Sequence, residues 1–146
     1  MKSIVNFRKA ISLAMCMTFA FAFFSGCSKD DDGPGGGGKD DRDAFVGTWR
    51  VTERIVGSGE VDYYNVTITK SSVDAKDIVI TNFFNDSGVS LLAKVDGNSF
   101  TIPQQTFVLL GFSGSGRRDG NYMSFSVLAN VTGGITLNLD CSASKL

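Results

Sequence analysis

Few side chains of this chain could do acid–base or nucleophilic chemistry. The 146 residues include no histidine, so the commonest general base and metal ligand is missing. The cysteines, Cys16, Cys27 and Cys141, are too far apart in sequence for a zinc-ribbon or thioredoxin-like pair. Cys141 has no histidine to activate it, so we expect Cys141 to be a small buried residue in the last strand and not a nucleophile. We therefore predict a non-enzymatic protein with no cofactor and no metal.

Glu53 is the carboxylate in the most unusual position. In the alternating stretch 45–55 it shares the parity of Trp49, Val51 and Ile55, which places it on the apolar face. A carboxylate there is costly unless it is paired. It could order a polar ligand or pair with an inward arginine or tyrosine, or a β-bulge could turn it to solvent. An enzyme using only carboxylates, such as Glu53 with Asp62, is a further alternative that requires the two to be close.

Three further classes of site are disfavoured. The glycine-rich segment 111–118 lacks the spacing of a phosphate-binding loop and leads into a hairpin rather than a helix. Asp30, Asp31 and Asp32 lack the alternating ligands of a calcium loop. The formal net charge is -1, so the chain has no basic footprint for nucleic acid.

The first 26 residues read as a secretory signal peptide. Lys2, Arg8 and Lys9 precede an apolar run over 10–24 that ends in small residues. A bilayer-spanning helix needs about 20 apolar residues, and this run is shorter.

The end of that run, Phe24-Ser25-Gly26-Cys27, resembles the bacterial lipobox. The resemblance implies cleavage between Gly26 and Cys27 and lipidation of the Cys27 sulfur, although Phe24 replaces the usual leucine. Two or more acyl chains anchor a protein stably without spanning the membrane. The membrane, contacted through Cys27, is thus the first predicted partner.

The residues after Cys27 resemble the acidic export signal of Bacteroidota surface lipoproteins, carried by Lys29, Asp30, Asp31 and Asp32. The resemblance implies an outer-membrane protein exposed at the cell surface. The alternatives are a plain solvated spacer and a periplasm-facing anchor. Segment 27–43 is glycine-rich and acidic, and we predict a disordered tether before a folded domain at 44–146.

The folded segment alternates apolar and polar residues between turn signals, with Asp96-Gly97 and Asp119-Gly120 as hairpin signals. About eight strands with short connections predict an all-β, antiparallel up-and-down barrel. A β-sandwich is the alternative fold. Pro103 is expected to end a strand or mark an edge, and 106–115 is expected to form one long strand.

Phe45-Val46-Gly47-Thr48-Trp49 resembles the Gly-x-Trp entry of lipocalin-like (calycin-type) barrels. The chain thus looks like a small lipocalin-like surface lipoprotein of Bacteroidota, which implies a barrel plugged at one end by Trp49. The leading functional prediction is a non-enzymatic binding module for a small apolar ligand, lined or plugged by Trp49, Val51, Glu53 and Tyr64. The alternative is a filled barrel that binds a surface protein, as an inhibitor or accessory subunit.

Overall fold

The computed structural model describes residues 39–146. The predicted signal peptide, the predicted lipidation site Cys27 and the acidic run 30–32 lie outside the described residues. The compact unit runs from Asp40 to Leu146, so it begins before the boundary at Ala44 that composition suggested. Among the described residues, no helix is long and apolar enough to cross a bilayer.

Eight antiparallel strands form a closed barrel in which each strand pairs with the next and the last pairs with the first. This architecture confirms the predicted up-and-down, lipocalin-like barrel and excludes the sandwich. The strands are β1 Gly47–Ile55, β2 Val61–Lys70, β3 Asp77–Thr81, β4 Ser90–Asp96, β5 Ser99–Phe107, β6 Leu110–Asp119, β7 Tyr122–Val131 and β8 Ile135–Lys145.

The barrel has two unlike ends. The entry end carries a 3₁₀ turn, Asp41–Ala44, the connections 71–76, 97–98 and 120–121, and the C-terminus. The distal end carries the connections 56–60, 82–89, 108–109 and 132–134. Both predicted Asp-Gly hairpins are present at the entry end, where Asp96 pairs with Ser99 and Asp119 pairs with Tyr122.

Residues that composition assigned to the tether hold the entry turn against the barrel. The Lys70 ammonium lies 2.8 Å from Asp40 and 2.6 Å from Asp43, and the Arg42 guanidinium donates to the backbone carbonyl of Asp74 at 3.2 Å. Hydrogen bonds from Arg42 and Lys70 hold the pKa of Asp40 well below its ordinary value. The folded unit therefore includes these charged residues.

The expected long strand 106–115 is wrong, because the chain reverses within it. Phe107 pairs with Leu110 around a two-residue turn of Val108 and Leu109, which contains none of the usual turn residues. Pro103 does not end its strand either: β5 continues past it, and its register with β6 shifts between Ile102 and Gln105. A bulge accommodates a proline that cannot donate to the ladder.

A column of aromatic side chains runs through the barrel interior. Ring centroids of Phe45 and Phe100, and of Phe100 and Phe125, lie 5.8 Å apart. Phe125 lies 6.3 Å from Phe83, which lies 5.7 Å from Phe112. An eight-stranded barrel is just wide enough for side chains to fill, and this aromatic column occupies that width.

Candidate functional site

Trp49 is the third residue of β1 and lies near the entry end of the barrel. Its side chain is fully buried, and its Nε1 donates to the carbonyl of Phe45 at 2.7 Å. The Lys145 ammonium lies 5.4 Å from the Trp49 ring centroid, and the Arg118 guanidinium lies 5.5 Å from that of Phe45. Two cations over two aromatic rings thus cover this end of the barrel.

Glu53 lies inside the barrel and not on a bulge, with a relative exposure of 1%. The hydroxyl of Tyr64 donates to its Oε2 at 2.7 Å. This contact is the inward tyrosine partner that the sequence left open. Val51 lies directly opposite Tyr64 on the neighbouring strand. The structure therefore brings Val51, Glu53 and Tyr64 together, while Trp49 belongs to the entry end of the same strand.

The interior around Glu53 disfavours ionisation of its neighbours. Burial, followed by the negative charge of Glu53, raises the pKa of Tyr64 above its ordinary value. Burial raises the pKa of Cys141 as well, with Glu53 again the next cause; Cys141 is its partner on β8. Both groups are protonated at neutral pH, so Cys141 is no thiolate nucleophile.

Asp62 faces Glu53 across β1 and β2 at directly paired positions. Its Oδ2 accepts from Asn85 Nδ2 at 3.4 Å, and its Oδ1 accepts from the backbone N–H of Tyr63 at 2.8 Å. The pairing meets the closeness that the carboxylate-only alternative requires. Each carboxylate accepts a hydrogen bond from a side chain of the barrel, Glu53 from Tyr64 and Asp62 from Asn85.

A second 3₁₀ turn, Phe83–Asn85, closes the distal end, and we call it the plug. Phe83 and Phe84 are buried, and Phe84 packs on Phe112 with ring centroids 5.9 Å apart. The backbone N–H of Phe84 donates to the Tyr64 hydroxyl at 3.3 Å. Phe84 and Asn85 have φ values of 60° and 54°, a strained region for a phenylalanine.

The outer wall carries a shallow polar groove of about 520 Å³ across β5 to β8. Short hydroxyl side chains line it, with Arg117 and Asp140 as its charged groups. Ser126 Oγ donates to Asp140 Oδ1 at 3.2 Å. Both hydrogen-bond donors and acceptors are therefore available to a partner.

Sequence reasoning missed the plug and the inward position of Arg118. The Phe83-Phe84 doublet, between polar residues in a loop, was the available signal because two adjacent aromatics there need a place to be buried. Arg118 gave no comparable signal, since a charged residue at the end of a strand is normally solvated.

No family model matches this chain, and no curated protein matches it at significant similarity. Within residues 39–146, no group of three or more acidic, cysteine or histidine side chains could hold a metal ion. The fold and the interior define a small lipocalin-like barrel with buried aromatic side chains near both ends.

Proposed function

We propose that this protein is a non-enzymatic, lipid-anchored interaction module that binds a protein partner through the outside of its barrel. One observation carries the proposal: the aromatic column, Trp49 and the plug fill the space that a ligand cup would need. Of the two functions that the sequence left open, this occupancy favours the filled barrel. Recognition then falls to the outer wall.

The groove on β5 to β8 is the part of that wall best suited to a partner. Its serines and Thr101 offer adaptable hydrogen bonds, and Tyr122, two residues before Ser124 on the outward face of β7, is 69% exposed. Tyrosine and serine recur in protein-binding surfaces because tyrosine adds contact area at low entropic cost. The buried pairing of Glu53 with Tyr64 behind the plug supports a non-enzymatic role.

The location is part of the proposal, and its support comes from the sequence. We place the protein on the outer membrane, lipidated at Cys27 and facing the cell surface. Cys27→Ala should shift the protein from the membrane fraction to the soluble fraction. Replacing Asp30, Asp31 and Asp32 by alanine should keep the anchor and abolish cleavage by external protease; unchanged cleavage would reduce the acidic run to a spacer.

Site-specific photocrosslinking in cells tests the partner surface. A crosslinker at Ser124, in the groove, should give an adduct of defined mass, whereas one at Thr69, on the outward face of β2, should give none. Native mass spectra of the chain from Ser28 to Leu146 after incubation with cell extract should show the bare mass. Equal crosslinking at both positions would count against the groove.

The second candidate is the small-ligand module, and one observation favours it: Glu53 and Tyr64 lie beneath a strained plug. An apolar ligand with one hydrogen-bond donor would replace the rings of Phe83 and Phe84. Phe84→Gly relieves the positive φ and removes one ring, so it should increase uptake of the apolar dye N-phenyl-1-naphthylamine. Absence of uptake in both the wild type and the variant would exclude this candidate.

A further inference from the structure

Three aliphatic side chains project from the distal end. Val108 is 77% exposed and Leu109 is 51% exposed in the β5–β6 turn. Ile135, at the start of β8, is 57% exposed. The two hairpins are neighbours, because the backbone N–H of Thr132 donates to the carbonyl of Leu109 at 2.8 Å. We call Val108, Leu109 and Ile135 the apolar tip.

The tip belongs to a part of the chain without charge. Segments 97–116 and 121–139, which include both hairpins, contain no charged residue. Charged side chains are more numerous at the opposite end, where Asp40, Arg42, Lys70 and Lys145 lie. At the distal end, Glu60 and Asp86 belong to the other two connections, 56–60 and 82–89. Removing a charged side chain from water is costly, and this cost keeps most loops out of an apolar phase. These two hairpins carry no charge of their own, so their insertion would not incur it.

Three backbone groups of the two turns are hydrogen-bonded within the hairpins. The carbonyl of Leu109 accepts from both the N–H and the hydroxyl of Thr132, at 2.8 and 3.1 Å. The N–H of Gly134 donates to the carbonyl of Val131 at 3.1 Å. Unpaired backbone groups cost several kcal/mol each in hydrocarbon, and these contacts lower that cost.

Valine at position 108 is also conformationally unfavourable for its turn. Its φ is 51°, where a β-branched side chain is a genuine outlier and asparagine or glycine is favoured. Because its side chain is exposed, no core contact offsets the strain. Local rules are broken in this way chiefly at functional positions.

We propose that the apolar tip dips into the headgroup–acyl boundary of a lipid bilayer. A protein partner would call for aromatic or arginine anchors in a well-packed pocket. The tip instead offers small aliphatic side chains on projecting turns, which suit a deformable apolar phase. Net charge plays no part, so binding is insensitive to salt and to anionic lipid.

The inference rests on the proposed tether, because three aliphatic side chains alone bind a bilayer weakly and tethering raises their local concentration. The chain from Cys27 to Asp40 spans at most roughly 45 Å when extended. A strand of nine residues such as β1, tilted in a barrel, rises only roughly 23 Å. The tether is therefore long enough for the distal end to reach the bilayer that holds Cys27.

Depth-dependent tryptophan quenching tests this inference. The chain from Cys27 to Leu146 is coupled through Cys27 to a maleimide phospholipid in phosphatidylcholine vesicles; Cys141 is 5% exposed and does not compete. Leu109→Trp reports on the tip, and Tyr122→Trp, at the entry end, is the matched control. After subtraction of the Trp49 signal, brominated lipid should quench the tip tryptophan at least twofold and leave the control nearly unchanged.

Val108→Asn with Ile135→Thr, in the Leu109→Trp background, should reduce quenching to the control level. Asparagine suits the turn, so the fold is retained, and circular dichroism verifies it. Equal quenching at both tryptophans, or none at either, would overturn the inference. So would self-association through the tip in sedimentation without vesicles. The tether in this experiment is made by chemical coupling. Such a result would therefore not contradict the proposed lipidation of Cys27 in cells or the proposed protein partner.

Discussion

One hydroxyl group, that of Tyr64, links β1, β2 and the plug. It donates to Glu53 Oε2 at 2.7 Å and accepts from the backbone N–H of Phe84 at 3.3 Å. Alternation placed both Glu53 and Tyr64 on the inward face, but it says nothing about the register between strands. Their pairing could therefore be named only as one of several open possibilities.

Tyr64→Phe removes that hydroxyl with almost no change in volume. Glu53 loses one donor and Phe84 loses one acceptor in a buried site, so the free energy of unfolding should fall by about 1–3 kcal/mol. Tyr63→Phe, on the same strand but 68% exposed, is the control and should stay within about 0.5 kcal/mol of wild type. Urea denaturation at pH 7 measures both. Equal effects in the two variants would mean that the buried contact contributes nothing.

The buried thiol and phenol should make stability fall at alkaline pH. Burial raises the folded-state pKa of Cys141 and Tyr64 above their ordinary values of 9.0 and 10.0. The unfolded chain therefore loses these protons first, and it binds fewer protons than the folded chain above pH 9–10. The free energy of unfolding falls by up to about 1.4 kcal/mol per pH unit for each group.

Two variants test whether Cys141 and Tyr64 cause the fall in the free energy of unfolding at alkaline pH. Stability is followed by denaturation between pH 7 and pH 11. Cys141→Ala should remove the part that begins near pH 9, and Tyr64→Phe should remove the part that begins near pH 10. A slope unchanged in both variants would show that other groups produce it.

Among the strands, β6 shows what alternation could predict and what it could not. Two of its glycines, Gly114 and Gly116, make room for the packing of neighbouring residues. A Cβ at Gly114 would collide with the backbone of Ser126, and one at Gly116 with Phe125 and the ring of Phe100. The sequence shows where the glycines are, but it does not show which residue of another strand packs against each of them.

Gly116→Ala should therefore disrupt the aromatic column. The added methyl group forces Phe100 and Phe125 out of their positions, so we expect a loss of about 1–3 kcal/mol. Ser115→Ala, one residue earlier and exposed on the outer wall, is the matched control. Thermal unfolding of both variants gives the comparison. A Gly116→Ala variant as stable as Ser115→Ala would show that the barrel relaxes freely around this strand.

For the molecule as a whole, strand number and closure followed from period-two patterning and short turns. The positions that escaped prediction lie at the two ends of the barrel. There the structure depends on contacts between distant segments, such as Arg42 with the 71–76 connection. Composition marked residues 40–43 as tether because they are polar, whereas tertiary ion pairs make them part of the fold.

The contribution of residues 40–43 to the folded unit can be tested by moving the start of the chain. A chain beginning at Ala44 lacks Asp40, Arg42 and Asp43, so Lys70 loses both of its carboxylate partners and the 71–76 connection loses its guanidinium donor. Its urea midpoint should lie below that of the chain beginning at Lys39. Arg42→Gln in the longer chain should reproduce part of the loss. Added salt should narrow the gap between the two chains, because the ion pairs are solvent-screened. Equal urea midpoints for the two chains at low salt would show that residues 40–43 belong to the tether and do not stabilise the folded unit.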